Sequence, residues 1–189
     1  MSNPDLYTGK LVRLSIDDPS VIAEAFARWE RDSEYLRLLD SSVRIPISIK
    51  KMTEWLEKDL AKDPPSDYFF LIRSLEKDQI IGFVGFDGHI IPHGECWVGI
   101  GIGERELWGR GYGTDAMRLI LRYGFTELNL RRVSLGTFGY NLRAIRSYEK
   151  AGFVYEGRVR QELKRGGQRW DVIIMGILRQ EWLAQNPHS

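Results

Sequence analysis

Residues Cys96 to Ala116 read CWVGIGIGERELWGRGYGTDA and carry two glycine series at the same spacing: Gly99, Gly101, Gly103, then Gly109, Gly111, Gly113. Around the first series, Val98, Ile100 and Ile102 alternate with the glycines, which predicts a strand over Glu95 to Ile102 with one apolar face and one bare face. Glycine weakens a strand, so the bare face predicts either the close approach of a ligand or a bulged strand packed under another element. The second series runs directly into Met117, Ile120, Leu121, Phe125 and Leu128, which fall at helical spacing. Glycines in such a turn let main-chain N–H groups converge, and the helix start adds unpaired N–H groups at the positive end of its dipole. The turn Trp108 to Gly113 therefore suits a phosphate or diphosphate, with Arg110 and Thr114 adding a charge and a hydroxyl. A glycine-rich turn that binds nothing is the alternative.

Two familiar phosphate loops do not fit. The nucleoside-triphosphate loop ends in Gly-Lys-Ser/Thr, whereas Gly113-Thr114-Asp115 has no lysine. The dinucleotide fingerprint needs G-x-G-x-x-G inside a parallel βαβ unit, and here the spacing differs and the preceding strands read as antiparallel.

Working outward, Lys10 to Ile16 reads as a strand ending at Asp17-Asp18-Pro19, a helix start. Helical stretches follow over Ser20 to Leu39, with a break, and Ile49 to Lys62, stopped by Pro64-Pro65. Tyr68 to Ser74 and Gln79 to Gly88 read as paired strands across Glu76-Lys77-Asp78. After the long helix, Arg132 to Thr137 is a strand and Asn141 to Ala151 a short helix closed by Gly152. Strands over Phe153 to Leu163 and Arg169 to Leu178, joined at Gly166-Gly167, finish the chain. No repeat or linker divides the 189 residues, so a single domain is expected over 1–189.

With 43% apolar residues and 27 Lys plus Arg against 26 Asp plus Glu, the chain can bury a core and lacks the bulk positive field of a general nucleic-acid binder. One cysteine, Cys96, rules out an intrachain disulfide, and no apolar run has the length of a membrane span or a signal peptide, so a cytoplasmic location is expected. Charge is uneven along the chain: Asp17 to Asp63 holds 11 acidic and 8 basic residues, and Arg105 to Arg169 holds 14 basic and 6 acidic. Arg158, Arg160, Lys164, Arg165 and Arg169 gather near the last hairpin, a patch that would suit RNA or a ribosome. His89 and His93 flank Pro92 in a loop and read as solvated; a metal site needs a third ligand, so no metal is expected.

The segment NLRAIRSYEKAGF, Asn141 to Phe153, adds a second constellation. Asn141 suits an N-cap, and Tyr148 lies two helical turns on along nearly the same face, so both could touch one elongated ligand. A tyrosine on a helix is also commonly ordinary core.

GIGIGERELWGRGYGTDA followed about 30 residues later by NLRAIRSYEKAGF resembles the GNAT superfamily of acetyl-CoA-dependent N-acetyltransferases, most of all the branch with ribosomal-protein N-terminal and spermidine acetyltransferases. The likeness spans about Lys10 to Trp182. It implies an α+β fold, a mostly antiparallel mixed sheet of about seven strands flanked by about four helices. It also implies that Ile100, Gly101 and Ile102 offer main-chain groups to the pantetheine arm of acetyl-CoA, that Trp108, Gly109, Arg110, Gly111, Tyr112, Gly113 and Thr114 hold the diphosphate, and that Asn141 and Arg146 add contacts. The family's usual loop is Arg/Gln-x-x-Gly-x-Gly/Ala, so Trp108 departs from it and removes one side-chain donor. Tyr148 would protonate the departing thiolate, a role suited to a pKa of about 10. Glu95, at the start of the strand beside the expected site, is the candidate base, with an exposed strand-end carboxylate as the alternative. The acceptor would be a primary amine, on a small molecule or a protein N-terminus, and the acidic excess of Asp17 to Asp63 would suit a cationic one. A homodimer is compatible with the sequence. A noncatalytic acyl-CoA-binding or sensing module on the same fold is the competing reading.

Overall fold

The computed structural model describes residues 5–43, 45–61, 68–87 and 94–187. Seven strands form one sheet: β1 (Val12–Ser15), β2 (Tyr68–Ser74), β3 (Ile80–Phe86), β4 (Glu95–Ile102), β5 (Arg132–Phe138), β6 (Val154–Arg165) and β7 (Gln168–Leu178). Their order is β1-β2-β3-β4-β5-β7-β6. The α-helices are α1 (Pro19–Trp29), α2 (Ser33–Leu39), α3 (Ile49–Leu60), α4 (Tyr112–Thr126), α5 (Leu142–Ala151) and α6 (Arg179–Gln185).

The expected break in the first helical stretch falls between Trp29 and Ser33, where Asp32 accepts from the N–H groups of Glu34 and Tyr35 and so starts α2 as a new helix. Two α-helices exceed the expectation. Besides the split of the first stretch, α6 was absent from the sequence reading: it is seven residues long and follows β7 with no glycine or proline between them. Its start is fixed by Glu181, whose carboxylate accepts from the Leu178 N–H at 2.8 Å. Trp182 then packs against Phe125 with ring centroids 5.3 Å apart.

All neighbouring strands run antiparallel except β4 and β5, which α4 connects as a crossover. That parallel pairing covers only Glu95, Cys96 and Trp97 opposite Arg132, Val133 and Ser134. Beyond Trp97 the two strands part, and the edge of β4 toward β5 is left without a strand partner. Register decides which groups that edge shows. The Gly103 N–H bonds Ile81 and the Asp87 N–H bonds Trp97, so odd-numbered residues of β4 direct their main-chain groups to β3 and even-numbered ones direct theirs to the opening.

Two apolar layers hold the sheet. On one face Met117, Ile120, Leu121 and Phe125 of α4 pack with Val84, Phe86, Val98 and Leu135. On the other, Ile22 and Trp29 of α1, Tyr35 of α2 and Met52 and Leu56 of α3 pack with Leu71 and Ile80. Trp29 also settles the bare face of β4. Its indole covers Gly103, where a Cβ would fall inside the ring, and its Nε1 donates to Glu104 at 2.9 Å.

Candidate active site

Where β4 and β5 part, the termini of α4 and α5 and one face of α2 enclose a cavity of about 890 Å3, within the range of small-molecule sites. The turn into α4 is built by glycine: Gly109 and Gly111 have φ of +75° and +94°, and Gly111 is the N-cap of α4. A side chain at 111 would carry left-handed strain and meet Leu11 at 3.3 Å, whereas a Cβ at 109 would meet nothing within 4 Å. Tyr112 opens α4 with its ring buried, so only its main chain faces the cavity. Thr114 shares a hydrogen bond of 2.8 Å with Ser147, joining α4 to α5.

Of the three β4 residues expected to present main-chain groups, the structure separates the roles. Ile100 directs both of its groups to the opening. Gly101 directs its groups to β3, and its bare face is filled from α2, a Cβ there lying 2.9 Å from the Tyr35 hydroxyl and 3.1 Å from Leu39. The Ile102 carbonyl accepts from Trp108 Nε1 at 2.7 Å. Trp108 therefore lies along the end of the strand, its ring part of the cavity wall.

The α5 residues meet the same space. Asn141 Oδ1 accepts from the Ala144 N–H at 3.2 Å and caps the helix, which leaves its amide N–H groups for a ligand. Arg146 lines the cavity as well. Tyr148 reaches the wall, and among the described residues its hydroxyl has no hydrogen-bond partner. The protein packed around it raises the phenol pKa to about 12 by desolvation, above the value near 10 expected from sequence. The phenol thus stays protonated throughout the neutral range.

Two expected site residues are elsewhere. Arg110 is exposed and does not line the cavity, because the left-handed turn at Gly109 and Gly111 directs it outward. Glu95 sits at the closed end of β4, paired with Arg131, five positions along the strand from Ile100, about 16 Å. It does not line the cavity. His89 and His93 lie outside the described residues.

The sequence reading overlooked a row of basic side chains. Arg146 was expected there, but Lys10, Arg118, Arg143 and Lys150 line the cavity with it, and among the described residues its one lining carboxylate, Asp115, accepts from the main-chain N–H groups of Leu11 at 2.7 Å and Val12 at 3.1 Å. The available signal was the i, i+4 relation of Arg143 to Ser147 and of Arg146 to Lys150, which places them on adjacent stripes of α5. Part of the acidic stretch, by contrast, is paired with arginines. Arg105 binds Asp32 and sits 2.7 Å from Glu34, holding the Asp32 carboxyl below its ordinary range, and Asp17 pairs with Arg73 at 2.8 Å.

The basic patch on the last hairpin is also partly internal. Arg165 donates to the carbonyls of Asp40 at 2.8 Å and Ser41 at 3.3 Å, and Arg158 lies 3.3 Å from Asp171. Arg165 also bonds the Arg37 carbonyl and the Tyr140 hydroxyl, tying the hairpin to the end of α2.

Sequence and fold are both shared with known proteins. Residues 10–154 match the acetyltransferase (GNAT) domain. The chain belongs to the GNAT family. It is an N-acetyltransferase, as its relatives are named. It is 30% identical over 152 residues, 80% of this chain and 82% of the relative, to an uncharacterized N-acetyltransferase, YokL, from the SPbeta prophage of Bacillus subtilis (strain 168). It is 38% identical over 81 residues, 43% of this chain and 44% of the relative, to spermidine N(1)-acetyltransferase of Escherichia coli (strain K12). A crystal structure of spermidine N-acetyltransferase from Vibrio cholerae in complex with CoA and spermine superposes with a TM-score of 0.76 at 23% identity, covering 91% of this chain and 98% of that one. Among the described residues, no helix is long and apolar enough to cross a membrane.

Proposed function

We propose that this N-acetyltransferase uses acetyl-CoA and moves the acetyl group to a primary amine by direct attack. The observation that carries the reading is the cavity's charge: five cationic side chains beside the open N-terminus of α4, with one carboxylate held by main-chain N–H groups. Such a site selects a polyanion. Its residues fit the coenzyme: the N–H groups of Gly109 to Gly113 and the start of α4 for the diphosphate, the Ile100 main chain and the Asn141 amide for the pantetheine arm. When bound, acetyl-CoA supplies the activated thioester.

The Tyr148 hydroxyl has no protein acceptor among the described residues and serves as the donor to the departing sulfur. At a phenol pKa of about 12, transfer to a thiol of ordinary pKa near 8.5 would be uphill by about 5 kcal/mol. Burial raises thiols too, as Cys96 illustrates, pushed up to about 12 chiefly by desolvation. A sulfur leaving into the desolvated space around Tyr148 would have its pKa raised as well, which narrows that gap.

Among the described residues Asp115 is the one carboxylate lining the cavity, and it is held by main-chain N–H groups, so the acceptor is taken to react from its neutral fraction, with water taking the proton. At pH 7 that costs about 1 kcal/mol for a protein N-terminus and about 4 to 5 kcal/mol for a lysine-like amine. The relatives' names support a small amine; the cost supports the less basic amines of that class and protein N-termini.

A thiol-release screen with acetyl-CoA against polyamines, aminoglycosides, amino acids and N-terminal peptides tests this. Turnover with one class is expected. Tight CoA binding with no turnover of any amine would instead support the acyl-CoA-sensing reading.

A further inference from the structure

The wall beside the glycine turn holds two guanidinium groups against one indole. Arg105 lies 5.4 Å from the Trp108 ring centroid and Arg143 lies 4.0 Å from it. Their charges are treated differently. Arg105 is neutralised by Asp32 and Glu34. Arg143, at the second position of α5, lines the cavity and forms no hydrogen bond or ion pair among the described residues. Desolvation draws its pKa below the ordinary guanidinium value, with Glu34 opposing and Arg105 adding to the shift, and the group still carries its charge at neutral pH. A partly desolvated cation held 4.0 Å from an aromatic ring centroid, with no protein acceptor among the described residues, keeps its N–H donors for a ligand, and what satisfies a guanidinium fork is a bidentate oxyanion.

We propose that Arg143 is the side-chain cation of the diphosphate site, positioned by the Trp108 indole. The pair together restores the donor that is lost where Trp108 stands in place of the arginine or glutamine of the family's usual loop. Trp108 is fixed for this purpose from beneath, since its Nε1 bonds the Ile102 carbonyl at 2.7 Å. The assignment rests on the acetyl-CoA reading and adds to it a residue that neither the glycine turn nor the strand edge contains.

Calorimetric titration with CoA and with pantetheine, which lacks the diphosphate, separates the outcomes. Arg143→Gln should weaken CoA about 10- to 100-fold, the loss of a charge-assisted contact. The same variant should change pantetheine affinity less than about 3-fold, and its CoA affinity should depend less on salt than that of the wild type. Arg143→Lys should fall between, because lysine keeps the charge and loses the planar stack. Trp108→Leu should weaken CoA in the same direction while its melting temperature reports any loss of fold. Equal losses for CoA and pantetheine, or an unchanged CoA affinity in Arg143→Gln, would overturn the assignment. Wild-type protein that gives no heat with CoA would overturn the assignment together with the acetyl-CoA reading beneath it.

Discussion

Gly99, Gly101 and Gly103 share their spacing with Gly109, Gly111 and Gly113, three residues on each side of one short loop, yet the protein needs them for opposite reasons. In the strand, glycine makes room for the molecule's own side chains. Trp29 occupies the space over Gly103, Tyr35 and Leu39 that over Gly101, and only Gly99 has nothing within 4 Å. In the turn, Gly109 and Gly111 take backbone angles that other residues reach only with strain, and the space beside Gly109 is open. The first series reports packing; the second reports conformation and access.

The largest effect should come from the strand series. Gly103→Leu forces a side chain into the Trp29 indole, and overpacking of a rigid ring should cost about 3 kcal/mol or more, a fall in Tm on the order of 10 °C, read by calorimetry or circular dichroism. Unchanged stability would mean that Trp29 moves aside freely and that the bare face awaits something else.

Gly111→Val should weaken CoA about 100-fold through the turn while costing about 1 to 2 kcal/mol of stability for the left-handed φ of 94°. Retained affinity would break the contrast between the two series. Next in size, Tyr148→Phe should lower kcat about 100-fold at a KM for acetyl-CoA that stays within about 3-fold. The same phenol sets a pH limit. Its folded pKa, raised to about 12, favours the neutral form, so its stabilising contribution is intact below pH about 10 and is lost as pH climbs through 12. Tyr148→Phe should therefore flatten that part of the alkaline unfolding curve, and a kcat limb near pH 10 due to Tyr148 should not be seen. The smallest effect belongs to Gly113→Ala, whose Cβ would rest at 3.6 Å from Ile102 and 3.8 Å from Ser147; CoA affinity should change less than about 3-fold.

Much of the fold was legible because its elements carry clean periods. Glu95 to Ile102 alternates, α4 repeats its apolar residues at helical spacing, and Asn141 and Gly152 bracket α5 as cap and stop. The C-terminal α6 was not, since one buried tryptophan in seven residues makes no periodic signal. The site divides the same way. The turn glycines, Asn141 and Tyr148, which line one cavity, could be named from spacing, whereas the Ile100 edge followed from the family resemblance. Arg143 could not, because its proposed role depends on an indole brought beside it by the turn, and Glu95 shows the converse: lying on β4 says nothing of which end of that strand opens.

Everything proposed for the site depends on main-chain nitrogens of the second glycine series holding the coenzyme's diphosphate. A crystal structure with CoA measures this directly. Diphosphate oxygens are expected at hydrogen-bond distance, about 2.7 to 3.1 Å, from N–H groups between Gly109 and Thr114. CoA bound with its diphosphate away from that turn would contradict it.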